Sequence, residues 1–146
     1  MITDLSDGTF VTSNDAQSLQ IWMQVGIQFL PVLHASYNPQ LGTADSGTAF
    51  SWNGTNWLVT GHENGYIPIW KVVGPALLLQ KTLSIRSPSP YQLWNVRGIS
   101  YWKNGIFATG SEDGDITLIQ IPDGTVRAIA PLHNAASMQL QYKMTT

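Results

Sequence analysis

Apolar positions along this chain fall in runs of five to eight residues, interleaved with polar ones and broken by turn-forming pairs. The stretch SWNGTNWLVTGHENGYIPIWKV, residues 51–72, holds two such runs and two Asn-Gly breaks. Asn53-Gly54, Asn64-Gly65, Asn104-Gly105, Asp113-Gly114 and Asp123-Gly124 all stand between segments rich in Val, Ile, Thr, Phe, Tyr and Trp. Asn, Asp and Gly reach positive φ at low cost, as tight hairpins require. No helical period is sustained before residue 134. The pattern predicts an all-β meander.

The same pattern recurs. At an offset of 49, Ser51, Thr60, Gly61, Glu63, Gly65 and Ile67 fall on Ser100, Thr109, Gly110, Glu112, Gly114 and Ile116 without a gap. A weaker copy lies upstream at an offset of 48, with Val11-Thr12 under Val59-Thr60, Ile21 under Ile69 and Trp22 under Trp70. Repetition at this period signals stacked supersecondary units. The second unit is expected to supply strands at 47–52, 57–62, 66–72 and 76–83, the third at 97–102, 106–111, 115–121 and 125–130. The first supplies three, at 9–13, 18–24 and 27–33, and the alternating SMQLQYKM at 137–144 reads as a further strand. Pro68 interrupts its strand, because proline removes a ladder donor; a bulge or an unpaired position accommodates it.

LVTGHENGYIPIW and FATGSEDGDITLI resemble the second and third strands of the WD40 repeat, with its small residue, polar turn, glycine and closing Trp. The resemblance covers nearly the whole chain. It implies a partial β-propeller of about three four-stranded antiparallel blades within a single domain, 1–146. The first blade then spans about 1–35 and is completed by 137–144; the second spans 47–83 and the third 97–131. The Trp-Asp pair of the family reads Trp22-Met23, Trp70-Lys71 and Ile119-Gln120 here. Many members share a His–Ser–Asp–Trp hydrogen-bond network within a blade. Ser111 and Asp113 match two of its positions, His62 and Asn64 occupy the same two in the second unit, and His34 and His133 fall in the connections where the histidine is expected. No unit is expected to assemble the full network, so stability should lean on apolar packing between blades. Three blades leave two apolar faces bare, which stacked repeats do not tolerate. The chain is expected to be part of a longer propeller, or to pair with a copy of itself or another propeller-type chain that completes the ring. A self-sufficient small β-domain is the competing architecture.

Composition narrows the function. Charged residues are only 11% of the 146 and the net charge is −2. With so few groups to solvate its surface, some of the chain should be covered by a partner. No basic run exists for nucleic acid. No run of eighteen apolar residues exists for a membrane span. The absence of cysteine and of a signal-like N-terminus points to an intracellular protein, cytoplasmic or nuclear. His34, His62 and His133 fit no close metal-ligand spacing, and Glu112-Asp113-Gly114-Asp115 reads as a polar turn rather than a calcium loop. No phosphate loop, nucleophile elbow or zinc-protease segment is present, so neither a catalytic residue nor a cofactor is assigned.

Two connections exceed hairpin length, 34–46 and 84–97. By the resemblance, both emerge on the face of the turns at 62–65 and 111–114, which the family uses for peptides and subunits. Tyr37 in the first, and Arg86, Tyr91, Trp94 and Arg97 in or bordering the second, are the candidate partner-binding residues, being types enriched at binding hot spots. Pro88 and Pro90 stiffen the second loop. Trp94 and Tyr91 read equally as a packed cluster beneath it. The leading expectation is a non-catalytic scaffold within a multi-subunit assembly. The alternative is a carbohydrate-binding propeller that displays some of its six tryptophans.

Overall fold

Turn chemistry sets the strand boundaries. The computed structural model describes residues 1–5, 8–14, 17–85, 95–111 and 114–131. Asn53-Gly54 and Asn104-Gly105 both place two consecutive residues at positive φ, 51° and 75° in the first pair and 54° and 74° in the second. This is the backbone of a two-residue turn whose twist matches the flanking strands. The first joins β5 (Ala44–Trp52) to β6 (Thr55–His62), and the second joins β9 (Val96–Lys103) to β10 (Ile106–Ser111). The remaining strands are β1 (Ile2–Asp4), β2 (Thr9–Asn14), β3 (Ser18–Val25), β4 (Gln28–Ser36), β7 (Tyr66–Val73), β8 (Ala76–Ser84), β11 (Asp115–Gln120) and β12 (Thr125–Pro131).

They form three four-stranded sheets, each running in chain order: β1 to β4, β5 to β8 and β9 to β12. Every pairing is antiparallel. The expected partial propeller of three meander blades is therefore the fold. One strand corrects the expectation. The first sheet obtains its first strand from the N-terminus, with Ile2 opposite Thr12 and Asp4 opposite Phe10. Three residues are too short to show an alternating signature. The segment 137–144, proposed for that place, lies outside the described residues.

Pro68 is accommodated as an unpaired position. On one side it stands opposite Thr82 of β8. On the other, the β6–β7 ladder stops at Val59 opposite Ile69, whereas the equivalent β10–β11 ladder runs on to Gly110 opposite Ile116. The missing N–H thus coincides with the end of pairing.

Alternation sorts each sheet into two faces. Val11, Leu19 and Ile21 of the first sheet meet Leu58, Trp70 and Val72 of the second in one buried cluster. Val59, Ile67 and Ile69, on the opposite face of the second sheet, meet Phe107, Ile119 and Ile121 of the third in another. Phe50 stacks on Tyr101 across this second junction, with ring centroids 4.1 Å apart. The sheets also approach closely as backbones. The Ser46 hydroxyl donates to the Val96 carbonyl at 2.8 Å, and a Cβ on Gly61 would lie 2.5 Å from Val96 Cγ1 and 2.8 Å from Val96 Cβ, besides striking Ser46 Oγ. Gly61 is therefore a spacing requirement between the second and third sheets.

Gly61→Ala should destabilise the chain by about 1–3 kcal/mol through overpacking. In the double variant with Val96→Ala, the loss should fall short of the two single losses added together by about 0.5 kcal/mol or more. Strict additivity in chemical denaturation would contradict the close approach.

Candidate functional site

At the junction of the first and second sheets a polar chain crosses the core. His62 is fully buried. Its Nδ1 lies 3.0 Å from the Gly42 carbonyl oxygen. A carbonyl only accepts, so Nδ1 carries the proton and Nε2 accepts from the Thr60 hydroxyl at 2.9 Å. The Thr60 oxygen in turn accepts from the indole N–H of Trp70 at 3.1 Å. Tyr37 stands edge-on to the imidazole at 4.7 Å, and its hydroxyl accepts from the Ala44 N–H at 3.2 Å. Burial pushes the His62 pKa below 6.5, against the opposing pulls of the Gly42 carbonyl and the Asp45 charge. The ring is held neutral, in one tautomer.

The expectation concerned the full His–Ser–Asp–Trp network, and what forms here is a different network. The second blade builds one from Trp70, Thr60, His62 and a main-chain carbonyl. The first blade keeps half of it: Trp22 Nε1 donates to Thr12 Oγ1 at 3.0 Å. The third has Ile119 in place of the indole, and its Thr109 hydroxyl turns to the Thr117 carbonyl at 3.5 Å. His34 sits on β4 opposite Gln20, away from the network, and His133 lies outside the described residues.

The network anchors the first long connection. Asn38 caps a single 3₁₀ turn, Pro39–Leu41, by accepting from the Gln40 N–H. Beyond it, Glu63 N–H donates to the Thr43 carbonyl, Asn64 N–H to the Leu41 carbonyl and the Asn64 side chain to the Gln40 carbonyl. The connection is thus sewn onto the 62–65 turn. Between it and the strands β7 and β8 opens a cleft of about 790 Å³. Tyr37, Leu41, Trp70 and Leu77 form its buried walls, and Tyr66 and Leu79 its more open side.

A second surface lies on the far side of the first sheet. Phe10, Thr12 and Trp22 point away from the second sheet, since Val11 and Ile21 point toward it. Phe10 stacks against Trp22 at 6.4 Å and meets Phe29 edge-on at 5.7 Å. Phe29 is 55% exposed and Ile2, on the same face, 78%. Among the described residues, no sheet covers this aromatic face.

The partner-binding candidates divide. Tyr37 is only 8% exposed and serves as a cleft wall. Arg97 is exposed on β9. Arg86, Tyr91 and Trp94 lie outside the described residues. Among the described residues no cluster of His, Asp or Glu is placed to hold a metal ion, and no helix is long and apolar enough to cross a membrane. The network and cleft escaped sequence reasoning. The signal available was Thr60 recurring beside the repeated glycine, ten residues before Trp70, as Thr12 is before Trp22.

Thr60→Val strands two buried groups and should cost about 1–3 kcal/mol, whereas Thr12→Val, beside a half-buried indole that water can reach, should cost less than about 1 kcal/mol. Equal losses would refute the network. His62 also makes stability depend on pH. Its folded pKa lies below its unfolded value of 6.5, so the unfolded chain binds more protons just below that pH. The contribution is complete above it and is lost as pH falls toward the folded pKa. The stability advantage over His62→Gln should therefore shrink between pH 7.5 and 5 in denaturation curves. A constant difference would contradict the buried neutral ring.

The sequence matches no family model and no curated protein. Its fold does match solved structures. Saccharomyces cerevisiae Sqt1, a WD40-repeat protein, superposes with a TM-score of 0.71 at 16% identity, over 90% of this chain and 35% of that one. The chain thus spans about a third of the length of that structure. The likeness establishes a WD40-type propeller fold for the three sheets.

Proposed function

We propose that this chain is a non-catalytic WD40-like scaffold segment that holds other protein chains within a multi-subunit assembly. The observation that carries this reading is the equivalence of two sheet faces. Phe10, Thr12 and Trp22 of the first sheet occupy the positions of Leu58, Thr60 and Trp70 of the second, 48 residues on. The second set is buried to 4% exposure or less beneath the aliphatic face of the preceding sheet. The first set has the same Thr–Trp hydrogen bond and no described sheet above it. Its natural cover is therefore another apolar blade face, from the rest of a longer propeller, from a copy of this chain or from another propeller-type chain. The exposed apolar area left there is of the kind that marks interaction sites.

Tryptophan exposure supports the scaffold over carbohydrate binding. A sugar platform needs an open indole face, yet Trp57 and Trp70 are 5% and 4% exposed. Trp22, Trp52 and Trp102 are half-buried. The second connection, with Arg86, Tyr91 and Trp94 and the adjoining Arg97, remains the proposed secondary contact.

The test is affinity purification of the tagged chain from its source cells with mass spectrometry, comparing wild type with Ile2→Glu/Phe29→Glu. Both side chains are exposed, so the melting temperature should change little. The reading predicts stoichiometric co-purifying chains that fall at least tenfold in the variant. A wild-type chain that purifies alone and sediments as a monomer would overturn it.

A further inference from the structure

The cleft between the first connection and the second sheet has a chemistry that the open face lacks. Its lining contains no Asp, Glu, Lys, Arg or His. A charged group entering it would lose water with no counter-charge to meet, so it selects against ions. Its volume, about 790 Å³, lies within the range of ligand pockets. The walls are held fixed: Trp70 through the Thr60–His62 chain, and Tyr37 through Ala44. Only its rim is polar, where Ser36, Asn38, Gln40 and Thr82 are exposed.

The cleft also adjoins a main-chain edge. β4 is the last strand of its sheet, and no described strand pairs with its outer side. Edge strands are normally blunted by charged side chains, yet β4, QFLPVLHAS, has no Lys, Arg, Asp or Glu. Past Pro31 it runs without a further proline to Ser36, and Ala35 and Ser36 line the cleft. An extended chain pairing with that edge would direct alternate side chains to the cleft side of the sheet.

We propose that residues 32–36 and the adjoining cleft form a peptide-binding site, taking an extended, uncharged segment of a partner protein that adds to the β4 edge and places apolar side chains against Tyr66 and Leu79. An exposed rim of hydroxyls and amides suits a peptide backbone leaving the site. The buried indole of Trp70 offers no face for a sugar ring. The site is separate from the open face of the first sheet, and either can fail without the other.

The test is an amide-shift titration of the full chain by NMR with three probes: Ac-Thr-Leu-Thr-Leu-Thr-NH2, Ac-Thr-Glu-Thr-Glu-Thr-NH2 and methyl glucoside. The expected result is saturable binding of the leucine peptide alone, with shifts concentrated at residues 32–38 and 77–79. Leu79→Glu, at a side chain 52% exposed, should weaken it at least tenfold while leaving the melting temperature nearly unchanged. Ile2→Glu, on the open sheet face, should leave it unchanged. The proposal is overturned by the absence of shifts at millimolar peptide, by shifts centred on Phe10 and Trp22, by glucoside binding as tightly as the peptide, or by a Leu79→Glu variant that binds like wild type.

Discussion

The structure depends on one constraint: a sheet with two apolar faces must be covered on both. Each junction solves this by bringing an apolar face of one sheet against an apolar face of the next. Val11, Leu19 and Ile21 cover Leu58 and Trp70; Val59, Ile67 and Ile69 cover Phe107 and Ile119. Full burial of each such side chain is worth about 1.5–3 kcal/mol, so each junction outweighs any single polar contact within it. In this stack of three described sheets, the Phe10–Trp22 face of the first has no described sheet above it.

Polar groups within the junction follow from the same geometry. Once Trp70 is enclosed, its N–H must find an acceptor, because an unpaired buried donor costs about 1–3 kcal/mol. Thr60 provides it, and His62 passes the chain on to the Gly42 carbonyl. That last bond ties the connection between sheets to the core of the second sheet and thereby shapes the cleft above it. In the first sheet Trp22 and Thr12 repeat the opening step, at an indole that is only half-buried. The same residues in two settings show what enclosure adds.

Most of the fold was legible in the sequence because turns and alternation are local. The strands predicted from residue 9 to residue 130 all appear, with ends displaced by at most a few residues. β1 was missed because three residues, of which Thr3 rather than Ile2 is buried, carry no period. The network was missed for a different reason. His62 stands where the family places a serine, and its far partner is a main-chain oxygen 20 residues away, which has no side-chain signature. The cleft is a product of two sheets and a connection, so no single stretch of sequence encodes it. Arg86, Tyr91 and Trp94 are candidates by residue type, and they lie outside the described residues.

The central claim is that the bulky face of the first sheet is covered in the assembled state. The most direct measurement is photo-crosslinking from p-benzoylphenylalanine introduced at position 29, in source cells, followed by peptide mapping of the adduct. A covered face, which the account predicts, gives a crosslink to an apolar β-sheet face of a further blade. A chain that forms no adduct in cells and sediments as a stable monomer at micromolar concentration would contradict it.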